Sequence, residues 1–423
     1  MAEFTDREHF IPLRKDELID LLCADKALAA ADQDLFRQFG RLVSATYHHQ
    51  FHQRLEELKA AYAPFDPDRD TRPLVRLTGG ERQERLNLLL RDFRWLMERA
   101  NFVHLSRDDI EPTLKETSDW GVHTHVDFGA FEHLAIFARG DTFQKRTRRR
   151  WRGLYRLEEA RVPTYQRLVM ILKLRPDRKY GPSVNTDCVY LKVFKDIPKV
   201  DVKMLLPTAR VRLTMFDRGK ITFPLLTGAG AALFSMTDDV LRALLQVATV
   251  GPMAAPMLLW GIATGGIGYG YRSWYGYQQT KQRYHLTLAQ SLYYQNLDSN
   301  AGVLVRLLDE AEEQECREAL LAYYFLWRYA GEQGWTGRDL DDYVELYLER
   351  YAGLKVDFEI GDALDKLEKL RVVQKAGARY RAQPIDKALE MLDRAWDNYF
   401  KYNNPQPEAP PVPDPAVPAK PSP

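Results

Sequence analysis

Three cysteines in 423 residues, Cys23, Cys188 and Cys316, are too few and too far apart for a disulfide framework. They make no CxxC pair, so a thiolate zinc site is excluded and a reducing compartment is expected. Net charge is only +1, with 28% of residues charged, so no global field draws the chain to nucleic acid or acidic partners. No P-loop, dinucleotide fingerprint or nucleophile motif occurs, and no cofactor is expected. The opening MAEFTDREHF lacks a basic region followed by an apolar run, so no secretory signal is expected. Long uncharged runs are also missing, except in one place.

That place is residues 221–271. Ile221–Thr237 and Ala243–Tyr271 contain no charged side chain; Asp238, Asp239 and Arg242 lie between them. A helix needs about 20 apolar residues to cross the roughly 30 Å hydrocarbon core. The second segment is long enough with tilt, and the first is marginal. Gly261 and Gly265, like Gly266 and Gly270, are spaced for close helix–helix contact. Trp260, Tyr269, Tyr271 and Trp274 gather at the exit, as interfacial aromatics do. The region reads as a membrane hairpin, against the alternatives of a buried hairpin in a soluble core or an interfacial one.

The rest of the chain divides by periodicity. Residues 1–119 read as an N-terminal helical region, with apolar stripes at Leu18, Ile19, Leu21 and Leu22 and at Leu35, Phe36, Phe39, Leu42 and Val43. Residues 120–220 alternate in short bursts and read as an α+β domain with a mostly antiparallel sheet. Val122–Phe128, Leu134–Ala138, Arg167–Leu174, Val189–Phe194 and Val211–Phe216 are the strand candidates. His123, His125 and Asp127 would share one strand face and are weak metal candidates beside the plainer reading of a polar face. His48 and His52 have metal-ligand spacing, but packing or surface histidines are far commoner.

Lys145, Arg146, Arg148, Arg149, Arg150 and Arg152 surround Trp151. They are candidates for anionic lipid headgroups, with nucleic-acid phosphate and a solvated charged loop as alternatives. Residues 272–335 read as helical, with Tyr284–Leu297 one helix and Ala301–Tyr329 the next, capped by Asp298, Ser299 and Asn300. The acidic run Asp309, Glu310, Glu312, Glu313 and Glu315 has no Glu-x-x-His partner and reads as a solvated face. Residues 336–403 follow the order of a winged-helix-like module. Its presumed recognition helix carries Glu359, Asp362, Asp365 and Glu368, which suits protein partners and not a phosphate backbone. Residues 404–423 are Pro-rich and expected to be an extended, disordered tail.

Several long blocks carry a resemblance. They include FIPLRKDELIDLL at Phe10–Leu22, HVDFGAFEHLAIFARG at His125–Gly140, RVPTYQRLVMILKL at Arg161–Leu174 and LKVFKDIPKVDVKMLLP at Leu191–Pro207. SLYYQNLDSNAGVLVRLLDEAEEQECREALLAY at Ser291–Tyr323 and VDFEIGDALDKLEKL at Val356–Leu370 complete the set. Together they resemble the transmembrane protein 143 family, also called domain of unknown function 3754, over nearly the whole chain except the tail. The resemblance implies a membrane protein with a central hydrophobic hairpin, mitochondrial in animals and also present in bacteria. It implies no reaction and no catalytic residues. The acidic N-terminus departs from a mitochondrial precursor and favours a bacterial inner membrane, with both termini cytoplasmic.

The expected architecture is therefore α+β: N-terminal helices, an antiparallel domain, a central transmembrane hairpin and C-terminal helices with the winged-helix-like module. The expected role is a membrane-anchored, non-enzymatic scaffold or assembly factor. An enzyme with a site in residues 120–220 is one alternative, and a nucleic-acid-binding regulator is the other.

Overall fold

The computed structural model describes residues 8–25, 28–72, 74, 77–106, 122–149, 157–176, 185–213, 275, 279, 282, 293–358 and 360–399. Side chains of 122–125, 144–149, 157–160 and 209–213 are outside that description. The described chain is a mixed α+β fold with antiparallel sheets and helices, in two compact units. One comprises residues 1–54 and 312–423; the other comprises 55–311. The division does not follow the linear partition expected at 119 and 335.

The inner unit holds strands β1 (Val103–Leu105), β2 (Val122–Val126), β3 (Phe131–Arg149), β4 (Leu157–Leu174), β5 (Tyr190–Pro198), β6 (Ala209–Leu213) and β7 (Asn296–Ser299). Five of them form a sheet of order β1-β3-β4-β5-β7, and β2 pairs with β6 separately. Each of these pairings is antiparallel. The strands at Phe131–Arg149 and Leu157–Leu174 are much longer than the apolar bursts that announced them. Their outer ends are polar, so alternation there carries no burial signal.

Side chains at Ile136, Ala138, Leu168, Met170, Leu172 and Phe194 build a core on one face with Val202 and Leu206. On the other face Phe137 meets Phe93, ring centroids 6.1 Å apart, from helix Gly79–Arg99. A sheet buried on both faces needs apolar residues in succession, which is why Leu168–Leu172 reads as an unbroken run. Thr78 and Glu81 cap that helix reciprocally.

The expected helix Tyr284–Leu297 is corrected at its C-terminal end. Asn296–Ser299 is an edge strand, registered on β5 through Lys192↔Ser299 and Val193↔Asp298. Asn300 then turns the chain with φ 53°, donates to Asp68 Oδ2, and accepts from the Leu191 amide. These tertiary bonds override local helical periodicity.

The other unit is built from both ends of the chain. A parallel bridge joins Glu8 to Val356. Its helices are α1 (Lys15–Cys23), the first part of α2 (Ala30–Tyr62), the second part of α4 (Ala301–Arg328), α5 (Gly337–Tyr347), α6 (Ile360–Lys369) and α7 (Ile385–Tyr399), the helix Gly79–Arg99 being α3. A three-stranded sheet has the order β8 (Trp335–Thr336), β10 (Arg379–Ala382), β9 (Val373–Ala376). Phe39 stacks on Tyr323 with centroids 3.9 Å apart, and Phe36 packs edge-on to Tyr324.

The acidic run of α4 is not a solvated face. Glu315 and Glu318 are buried, and Gln314 donates to Glu318 Oε1 at 2.7 Å. Glu315 pairs with Lys366, Glu313 with Lys15 and Arg317, and Glu312 with His48. Glu310, in the inner unit, pairs with Arg139 at 2.5 Å. Charge counts do not reveal this, because Glu310, Glu312, Glu313 and Glu315 each meet a cation from a segment distant in sequence, while Asp309 stays exposed.

Among the described residues no helix is long and apolar enough to cross a membrane. The expected hairpin, residues 221–271, lies outside the described residues.

Candidate functional site

A pocket of about 380 Å³ opens at the β1 edge of the five-stranded sheet. Leu105 and Ile136, paired across β1 and β3, form one wall with Phe128, Phe131 and Leu134. The polar lining is His104, Glu132 and His133.

Local geometry explains how adjacent residues reach one cavity. In β3 the register steps from Phe131↔Leu174 to His133↔Lys173, leaving Glu132 as an extra, bulged residue. A bulge interrupts strict alternation and re-aims side chains. Glu132 Oε1 accepts from Lys173 Nζ at 2.8 Å and lies 3.7 Å from His133 Nε2. His104 stands edge-on to Phe137, ring centroids 5.1 Å apart.

This arrangement offers two imidazoles against an apolar wall, with the carboxylate already partnered by a lysine. It suits hydrogen bonding with a small polar ligand. Among the described residues no group of three or more His, Cys, Asp or Glu could hold a metal ion.

The sequence candidates fall elsewhere. His123 and His125 occupy alternate positions of β2, opposite Arg212 and Arg210; their side chains are outside the description. Asp127 does not extend their strand face, because β2 ends at Val126. It caps the 3-10 turn Phe128–Ala130 and accepts from the Gly129 amide at 3.1 Å. His48 is held by Glu312, and its ring centroid is 6.5 Å from that of His52.

Lys145, Arg146, Arg148 and Arg149 are strand positions on β3, facing Arg161, Ala160, Glu158 and Leu157. The basic run therefore starts on a strand instead of a loop or helix end. Arg150 and Arg152 lie outside the described residues, as do Gly261, Gly265, Gly266, Gly270, Trp260, Tyr269, Tyr271 and Trp274. His104, Glu132 and His133 were missed by sequence reasoning. The adjacent Glu-His pair is ordinary in sequence, and only the bulge and the pairing with β1 bring it to a cavity.

Residues 147–302 match the family model described as protein of unknown function (DUF3754). The match begins on β3, runs through the rest of the inner unit's sheet and ends at the start of α4. It supports a domain of unknown function and assigns no activity. No solved structure matches the chain.

Proposed function

We propose that this chain is a membrane-anchored protein acting as a non-enzymatic scaffold or assembly factor, with both folded units on the cytoplasmic side. One observation carries the topology. Strands β6 and β7 both belong to the inner unit, and the two charge-free segments lie between them in the sequence. A segment with both ends in one unit crosses a bilayer an even number of times or not at all. The passages between units, at residues 54–55 and 311–312, run within α2 and α4. Neither helix is long and apolar enough to cross.

The role as an assembly factor rests on the chain-end unit. We read residues 336–403 as a winged-helix-like module, a reading supported by the order of α5, α6, β9, β10 and the closing α7. The helix in the recognition position is rich in carboxylates, and its Lys366 is engaged by Glu315 and Asp362. Protein partners fit such a face better than nucleic acid. The basic positions Lys145–Arg149 on β3 would face anionic headgroups if the inner unit lies against the bilayer.

The test is extraction of membranes with alkaline carbonate. The protein is expected in the pellet and requires detergent for release. Release as a monodisperse soluble species would sink the anchor. The pocket at His104, Glu132 and His133 favours a second reading, a membrane-bound enzyme or ligand sensor, which a turnover or ligand shift lost in His133→Ala would support.

A further inference from the structure

A strip of tilted and edge-on aromatic rings reaches the surface of the chain-end unit. Trp335 meets Tyr343 at 5.0 Å, Tyr343 meets Phe325 at 5.4 Å, Phe325 meets Tyr347 at 4.9 Å, and Tyr347 meets Tyr351 at 4.6 Å. Phe325 is buried, but Tyr343 is 38% exposed, Tyr351 61% and Leu346 63%. Residues 343, 346 and 347 neighbour one another on a helix surface. Tyr329, beside Tyr343 at 5.4 Å, spends its hydroxyl on Asp25 at 2.6 Å. Among the described residues the Tyr343 and Tyr351 hydroxyls make no hydrogen bond. Exposed Tyr343, Leu346 and Tyr351, clustered around half-buried Tyr347, mark a contact surface rather than scattered surface hydrophobics.

We propose that the chain's own Pro-rich segment, Pro405–Pro423, docks on this strip. Prolines stand at 407, 410 and 413 and again at 415, 418 and 421. Spacing of three is the period of the polyproline II helix, so each triplet lines one edge of such a helix. Its pyrrolidine rings pack between aromatic side chains, and its outward carbonyls accept from tyrosine hydroxyls. The segment follows α7, which ends at Tyr399 in the same unit as the strip. At about 3.1 Å per residue, the chain from 400 to 407 reaches about 25 Å and the whole tail about 70 Å. A unit of this length has a radius of gyration of about 15 Å, so the tail reaches any part of its surface. Tethering supplies an effective concentration of order millimolar, enough to populate a contact that would be weak between separate molecules.

The experiment compares the detergent-purified full chain with a variant ending at Asn404. A fluorescent peptide of sequence Pro405–Pro423 is titrated into each and followed by anisotropy. The shortened chain is expected to bind it, and the full chain to bind at least tenfold more weakly because its own tail occupies the strip. Tyr351→Ser and Leu346→Glu, both at highly exposed positions, are made in the shortened chain and are expected to weaken binding at least tenfold with unchanged melting temperature. Equal binding by long and short chains, no binding by the short chain, or binding indifferent to both substitutions overturns the proposal. So does a tail-dependent dimer in light scattering, which would place the segment on a second copy.

Discussion

The ammonium of Lys366 rests against the carboxylate of Glu315, a side chain only 3% exposed. Asp362 Oδ2 takes the same ammonium at 2.8 Å, and the Tyr47 ring lies 5.9 Å from it. The pair joins α4 to α6 inside the chain-end unit.

Removing one partner of a buried pair leaves a charge the fold must still bury. Lys366→Met is expected to cost about 2–4 kcal/mol, seen as a lower unfolding midpoint of the full chain in detergent. Adding Glu315→Gln should recover part of the loss, so that the two changes are non-additive by more than about 1 kcal/mol. Additive costs would mean the pair is not coupled.

Burial pushes the Cys316 thiol from its ordinary value near 9 up to about 11, partly offset by its contact with Ser44 Oγ at 3.3 Å. The unfolded chain therefore loses this proton first. The stability linked to it is complete below pH 9 and is lost as pH rises from 9 through 11. The full difference is about 2–3 kcal/mol. At pH 8 ionisation alone should slow thiol labelling of Cys316 about 100-fold on folding. Cys316→Ala should flatten the alkaline fall of the melting temperature. An unchanged fall, or rapid labelling of the folded protein, would contradict the buried environment.

Gly334 has φ +68°, and a Cβ there would sit 2.6 Å from the Tyr380 backbone oxygen. The strand pair Tyr380↔Trp335 sets that approach. Gly334→Ala is expected to cost about 3 kcal/mol or more, from strained backbone and a clash that cannot relax. Gly331→Ala is the control: φ is +59° and nothing lies within 4 Å, so about 1 kcal/mol is expected. Comparable melting temperatures for the two variants would show that the close approach is not real.

Topology is read from single cysteines in a background lacking Cys23, Cys188 and Cys316. Gln333→Cys and Glu98→Cys report on exposed positions of the two units, and Ser235→Cys on the turn expected over Ser235–Arg242, where the first charge-free segment ends. An impermeant maleimide applied to intact cells should label Ser235→Cys alone. Labelling of just one of the other two would mean the units lie on opposite faces.

Much of the fold was legible where burial is one-sided or complete over a whole element. The stripe Phe36, Phe39, Val43 belongs to one helix, and the run Arg167–Leu174 to a strand buried on both faces. The candidate site was not legible. Glu132 and His133 reach a cavity through a one-residue bulge whose position depends on the pairing partner, Lys173, forty residues away.

Local sequence determined most of the element types, caps such as Thr78–Glu81 and Thr336–Asp339, and the position of the charge-free region. These follow from interactions spanning a few residues, whose energies the chain carries wherever it goes. Only the tertiary structure decided that the chain ends share one unit, that Asn296–Ser299 is a strand, and that Glu315 is buried. Each depends on a partner distant in sequence: Glu8 with Val356, Val193 with Asp298, Glu315 with Lys366. Burial and hydrogen-bond pairing are properties of such distant partners together, so one segment read alone carries no trace of them.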